Sequence, residues 1–315
     1  MSFKGEINNL LYKCMPGKQY LKFSYWWYHK KTLSLTRPQR LSEKLYLLKV
    51  YNGVVHREII QECYDKYKVR NYIEKKIGKK YLTDLYGVWD NAYQINFNNL
   101  PDKCIFKISQ SCGSNLICKN GYKSDEYTIK GQLDRWLREE KNASFIEKNG
   151  KIESYYNTPD VVIICEELLE NPGGDIPDDI RLYCIKGKVA FITVDYDTVS
   201  ASGEKMKEYV RNVYSPDGIF IDAKFGRPND VNRKFEGFEN LHEMIYISEK
   251  LSEDFEFVRV DLYNVKNRIY FGELTWIPMG GAGKIEPAEF DLKMGQKLKI
   301  DNLVEVVEGY FRRER

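Results

Sequence analysis

Asp261 and Glu273 stand among the apolar residues of FVRVDLYNVKNRIYFGELT, Phe257 to Thr275. The alternation predicts a β-hairpin, with Arg259, Asp261 and Tyr263 on one face and Val258, Val260 and Leu262 on the other. A three-residue loop, Val265-Lys266-Asn267 with Asn267 left-handed, would set Asp261 opposite Phe271. Glu273 would then lie diagonal to Asp261, roughly 7 Å away. Two carboxylates that close repel unless protonated or neutralised, and a hard divalent ion neutralises them. The alternative is two separate surface acids, each with its own Lys or Arg.

Other residues could serve phosphate chemistry. Lys107 lies in a predicted strand, KCIFKIS (103–109), just before the small-residue turn Ser111–Asn115; LICK (116–119) is the returning strand. Backbone N–H groups of such a turn can cradle phosphate oxygens while an ammonium adds a point charge, although the spacing does not match a Walker loop. Glu166 and Glu167 end a buried strand within VVIICEELL (161–169), where an acid could accept hydrogen bonds from a ribose or a base. Arg181 opens the next strand pair, which turns at Lys186-Gly187. That pair ends in Asp195-Tyr196-Asp197, a D-x-D of the kind that holds a metal and a sugar diphosphate in many glycosyltransferases. The alternative is that these acids cap a strand.

The elements that must position these groups are short. Helices are predicted over Ser42–Val50 with Ser42 as N-cap, over the region 57–77 ending at Gly78, from about Ser124, and over Asn240–Leu251 with Glu243 completing a capping box. Residues 198–237 read as irregular and polar. They carry Arg211, Lys224, Arg227 and Arg233, which would suit an anionic sugar or form a solvated loop. Short helices alternating with mainly antiparallel hairpins predict an α+β fold rather than a doubly wound sheet.

Composition excludes several classes. The 315 residues carry 49 Lys+Arg against 46 Asp+Glu, a net +3, which gives no case for a nucleic-acid partner. FSYWWYHKK (23–31) reads as a buried aromatic cluster with a solvated lysine tail, ahead of a membrane or nucleic-acid contact. The seven cysteines form no CxxC and no zinc spacing with the three histidines, so reduced thiols in the cytoplasm are expected. Cys112 reads as a small turn residue rather than a nucleophile. The N-terminus lacks the apolar run of a signal peptide, and the stretch VVIIC is too short for a transmembrane segment.

The order of lysine and glycine turn, Glu-Glu strand, Arg181 strand and Asp…Glu hairpin resembles the ATP-grasp superfamily. The wording resembles its TupA-like family over about residues 36–290, in RPQRLSEKLYLLKVY, YDKYKVRNYIEKKIGKKYL, LYGVWD, LPDKCIFKIS, ICEELLE, DIRLYCIKGKVAFITVD and FVRVDLYNVKNRIYFGELT. The resemblance implies an ATP-grasp fold: a mainly helical region 1–100, a small lobe 101–170 with the phosphate turn, and a large lobe 171–315, with ATP between the lobes. It implies that Lys107 contacts the phosphates and that Ser111, Cys112, Gly113, Ser114 and Asn115 cover them. Glu166, Glu167 and Leu168 would line the adenine and ribose pocket. Asp261 and Glu273 would hold one or two Mg²⁺ ions, with Thr275 as a third ligand. Arg181 would stabilise the transferring phosphoryl group. The implied reaction is carboxylate–amine ligation through an acyl phosphate, in synthesis of a cell-surface or capsular polysaccharide. The substrates would be a sugar acid and an amine or amino acid, on a nucleotide- or lipid-linked glycan, with Asp195, Asp197, Arg227 and Arg233 on the acceptor side.

Two stretches depart from the family pattern. The phosphate turn, approximately K-x-N-H-G-S-G-S in relatives, has Gln110 for the His and keeps only Gly113. The F-T-P-G-S-G that follows GELT is here Trp276 to Gly281. The alternatives are a glycosyltransferase working through Asp195-Tyr196-Asp197 and a non-catalytic ATP-binding protein.

Overall fold

The computed structural model describes residues 15–147, 156, 158, 160–199, 206–235 and 238–313. Cys14 lies outside them; the other six cysteines are free. A helical layer comes first: α1 (Gly17–His29), α2 (Leu41–Val55), α3 (Arg57–Tyr64) and α4 (Val69–Ile77).

In α1 the expected burial of the aromatic cluster holds for one side only. Leu21, Ser24 and Tyr25 face inward, with the Tyr25 ring edge-on to Tyr46 at 5.1 Å, while Trp26 is 48% exposed. Helix α2 starts one residue before its expected cap. Its Glu43 reaches back to the N-cap and the chain before it, accepting from Ser34 N, Gln39 N and Arg40 N. Ser42 is inside the helix and donates from N and Oγ to Asp291, at 2.9 and 2.6 Å. Asp65 separates α3 from α4 and accepts from Tyr67 N and Lys68 N. Gly78 ends α4 at φ +95°, a conformation that favours glycine.

The first sheet contains β1 (Leu85–Trp89), β2 (Cys104–Ile108), β3 (Asn115–Cys118) and β4 (Ile163–Glu166), antiparallel in the order β1-β4-β2-β3. Alternation along β2 buries Cys104, Phe106 and Ile108 against α5 (Glu126–Glu147), whose Leu133 and Leu137 share that core. Lys107 is thereby turned to the opposite face.

The second sheet is antiparallel, in the order β11-β10-β5-β6-β7-β8. Its strands are β5 (Asp179–Ile185), β6 (Lys188–Tyr196), β7 (Val210–Tyr214), β8 (Phe220–Ile221), β10 (Phe257–Val265) and β11 (Arg268–Thr275), while β9 (Lys224–Phe225) pairs with β12 (Ile285–Glu286). One face buries Leu182, Ile192, Val258, Val260 and Leu262 with α6 (Leu241–Ser252). The expected turn at Lys186-Gly187 is present, with both residues at positive φ. The capping box of α6 is not. Asn240 makes no side-chain cap, and Glu243 instead accepts from Tyr81 Oη and Lys80 Nζ.

The polar stretch 198–237 contains an unexpected strand, β7. Its buried residues include Arg211 and Asn212, so polar side chains hide the inward face from a hydrophobicity pattern. The helices α7 (Ala288–Lys297) and α8 (Leu303–Arg313) close the molecule against α2. Lys44 Nζ donates to Gly295 O and Leu298 O, both at 2.7 Å. A Cβ on Gly295 would lie 2.1 Å from Gln39 O, so only glycine permits this approach.

The β10–β11 hairpin corrects the expected register. Lys266 and Asn267 both lie at positive φ in a two-residue turn, and Val265 pairs with Arg268. A bulge at Gly272 then inserts one residue, so that Asp261 stands directly opposite Glu273 rather than Phe271. A Cβ at Gly272 would lie 3.0 Å from both Asp261 O and the Tyr263 ring, which is why glycine suits the bulge.

Candidate active site

A cavity of about 610 Å³ opens between the charged faces of the two sheets, within the size range of small-molecule sites. It brings together Lys107, Ser111, Cys112, Gly113, Asn115, Glu166, Glu167, Leu168, Arg181, Asp261 and Glu273. Ser114 lies just behind, its Oγ 2.7 Å from Ser111 Oγ. Thr275 Oγ1 donates to Glu273 Oε1 at 2.9 Å without lining the cavity.

On the first sheet, Lys107 Nζ donates to Glu166 Oε2 at 2.9 Å, and Arg70 Nη1 donates to Oε1 at 2.8 Å. Burial alone would raise the Glu166 carboxyl, but Lys107, Arg70 and the Thr83 hydroxyl outweigh it and hold it below the usual carboxylate range. Glu166 therefore orients Lys107 and Arg70, while Glu167 and Leu168 follow along the cavity wall. The Ser111–Asn115 turn is held from behind. Lys66 Nζ donates to Ser111 O at 2.6 Å, and buried Asp65 accepts from Ser109 Oγ and Gln110 Nε2. Gln110 also exchanges hydrogen bonds with Thr158. Its carboxamide is thus a strut under the turn, and Gly113 at φ +99° makes the bend.

On the second sheet, charges of both signs interleave across strands. Arg259 donates from Nε and Nη2 to the two oxygens of Asp261, each at 2.6 Å, and from Nη2 to Glu273 at 2.8 Å and Thr275 at 3.0 Å. Burial pushes the Asp261 carboxyl up to about 7, against the pull of Arg259 and Arg181 and with the push of Glu273. Arg181 donates to Asp195 at 2.5 Å and Asp179 at 3.1 Å. Its buried Nε has no hydrogen-bond partner and lies 3.4 Å from Asp261 Oδ2. Arg211 wraps both oxygens of Asp195, at 2.5 and 2.6 Å.

This arrangement corrects the D-x-D reading. Asp195 is fully buried between two guanidinium groups and cannot reach a metal–sugar diphosphate. Asp197 points to solvent and pairs with Arg233, away from the cavity. Arg227 lines a second cavity of about 340 Å³ with Lys224, Met279 and Lys284. Its guanidinium stacks 4.3 Å over the Tyr209 ring, and Tyr209 belongs to the first cavity, so the two spaces are neighbours.

Sequence reasoning missed Arg70 and Lys66 and gave Arg259 a face but no role. Arg259, two residues before Asp261 on one strand face, was the one of the three that the sequence pattern could have found.

A family model described as TupA-like ATPgrasp matches residues 43–299. No curated protein matches the chain. Similar solved structures include the D-alanine–D-alanine ligase from Bacillus anthracis, with TM-score 0.47 and 13% identity over 81% of this chain and 70% of that one. The L-amino acid ligase from Bacillus licheniformis has TM-score 0.41 and 12% identity over 70% and 44%. The N5-carboxyaminoimidazole ribonucleotide synthetase, whose structure is an ADP complex, has TM-score 0.35 and 13% identity over 68% and 45%. The chain therefore spans less than half of the last two.

Proposed function

The chain belongs to the TupA-like ATP-grasp family, and on that premise we propose that it is an ATP- and Mg²⁺-dependent carboxylate–amine ligase. It works in the cytoplasm, joining an amine or amino acid to a sugar acid of a cell-surface polysaccharide. The observation that carries this reading is the convergence of Lys107, the Ser111–Asn115 turn, Arg181, Asp261 and Glu273 on one cavity, contributed by two sheets.

The lobes 101–170 and 171–315 clasp the nucleotide. Lys107 leaves Glu166 for a phosphate oxygen, and Arg70 keeps Glu166 neutralised when it does. The turn amides cover the phosphates, and Glu167 and Leu168 border the base and ribose. Asp261, Glu273 and Thr275 form a hard oxygen donor set suited to Mg²⁺, and a cation there would also offset the burial and the Glu273 charge that raise Asp261. When bound, the ion supplies charge neutralisation on the phosphate oxygens. Arg181, which lines the cavity, stabilises the phosphoryl group as it passes to the acceptor carboxylate, and Arg259 holds Asp261 and Glu273 in place. The acyl phosphate so formed is attacked by the amine, which expels phosphate. Arg227, beside Tyr209, is the cation placed to meet an anionic acceptor.

The test is thermal stability with Mg-ATP, Mg-ADP and a panel of nucleotide sugars with Mn²⁺. A ligand at a hundred times its Kd stabilises the native state by about 2.7 kcal/mol. Wild type should respond to Mg-ATP, and Lys107→Ala and Glu273→Ala should respond weakly. A response to a nucleotide sugar alone would sink the ligase reading.

A further inference from the structure

The outward face of α1 lines neither of the two cavities described above and takes no part in the proposed reaction. Its 13 residues bury Leu21, Ser24 and Tyr25, which leaves Gln19, Lys22, Trp26 and Lys30 exposed on the opposite side. Phe23 and Trp27 complete that side, half-buried, with ring centroids 5.7 Å apart and those of Phe23 and Trp26 6.0 Å apart. Lys30 Nζ sits over both indoles, at 4.9 and 5.0 Å. A solvated helix face rarely presents two tryptophans and a phenylalanine together.

Charge points the same way. From Gly17 to Ser42 the sequence has Lys18, Lys22, Lys30, Lys31, Arg37 and Arg40 and no Asp or Glu. The whole chain is only +3, so the rest is net acidic and the excess is concentrated here. Among the described residues no ion pair engages Lys18, Lys22, Lys30 or Lys31.

We propose that this face is an interfacial membrane-binding surface for a bilayer carrying anionic headgroups. Indoles favour the boundary between headgroups and acyl chains, where an apolar ring body and a polar N–H are both accommodated. Lysines beside them are drawn to the negative surface potential. No helix among the described residues is long and apolar enough to cross a membrane. The helix therefore lies in the interface plane rather than spanning it. Such a surface would hold the protein beside lipid-borne molecules.

The experiment is sedimentation of the full chain with vesicles of phosphatidylcholine alone or mixed equally with phosphatidylglycerol. Tryptophan emission is recorded in parallel. Wild type should bind the mixed vesicles with a blue-shifted emission, bind the neutral ones weakly, and be released by high salt. Lys22→Gln with Lys30→Gln should weaken binding on the order of twenty-fold. Trp26→Ser with Trp27→Ser should abolish the emission shift. The nucleotide-induced thermal shift should be unchanged in both variants, which shows that they fold. Absence of binding to mixed vesicles, or binding that neither pair of substitutions weakens, overturns the proposal. So does a face that instead binds single-stranded RNA, or that holds two copies of the chain together in a dimer lost in the tryptophan variant.

Discussion

The two sheets meet at one cavity with opposite electrostatic arrangements. The four-stranded sheet brings one buried acid, Glu166, to two cations that stay partly open, Lys107 with 25% of its side chain exposed and Arg70 with 14%. The six-stranded sheet interleaves Asp195, Arg211, Arg181, Asp261 and Arg259 across four adjacent strands, and Asp195 and Arg211 are almost fully enclosed. Were Lys107 to turn to a ligand, as proposed, Glu166 would still keep Arg70. Asp195 cannot move without leaving buried Arg211 with no carboxylate and Arg181 with one fewer. One sheet is built for exchange and the other for position. The same contrast recurs within the second sheet. For Asp195, burial is outweighed by the hydrogen bonds and charge of Arg211 and by Arg181, and the carboxyl is held below the usual range. Asp261 faces Glu273, and burial pushes it up.

The sharpest way to break this contrast is Asp195→Ala. Removing one partner of a buried ion pair strongly destabilises, by about 3–5 kcal/mol, read as a lower urea midpoint. Little loss of stability would mean that the lattice is not a framework. Lys107→Ala should do the reverse. Loss of a hydrogen bond to a charged group should weaken Mg-ATP binding by roughly 1.5–3 kcal/mol in calorimetry, with the urea midpoint almost unmoved. A smaller effect is expected from Gly272→Ala, about 1–2 kcal/mol, because its methyl group would press on Asp261 O and Tyr263. Mg²⁺ dependence of nucleotide binding should weaken with it, since the bulge sets the Asp261–Glu273 pairing.

The smallest effect concerns pH. Burial holds the His29 imidazole below its ordinary 6.5, and its neutral ring meets Gly281 O at 2.8 Å, in the loop after β11. The unfolded chain therefore takes up the proton first as pH falls. Stability should drop as pH passes below about 6.5 and level off below the folded-state pKa. His29→Gln should remove that part of the slope in urea titrations at stepped pH; an unchanged slope would assign it elsewhere.

The sequence made parts of this plain because they are local. The alternation of residues 257–275 and the Lys186-Gly187 turn are carried by neighbours, and both hairpins form, the first with a two-residue turn in place of the expected three. The pairing of Asp261 with Glu273 was missed by two residues, one from the shorter turn and one from a bulge that depends on the close fit of Gly272 rather than on pattern. Arg70 reaches Glu166 across 96 positions, and no periodicity in α4 signals that contact. The strand Val210–Tyr214 was hidden because it buries an arginine and an asparagine, whose partners Asp195 and Asp230 are supplied by other segments. The D-x-D failed for a related reason. A short motif cannot reveal that its first acid is already held.

The bond from Ser42 to Asp291 joins residues 249 positions apart and belongs to the packing of α2 against α7 and α8. At a ribosomal pace of about 5–20 residues per second, roughly 10–50 s pass between their syntheses. Throughout that interval the nascent chain carries α2 without its cover, with Leu41, Leu45 and Leu48 waiting for partners. The packing of α2 on these two helices is therefore completed only at the end of synthesis, and chaperones have their longest opportunity there.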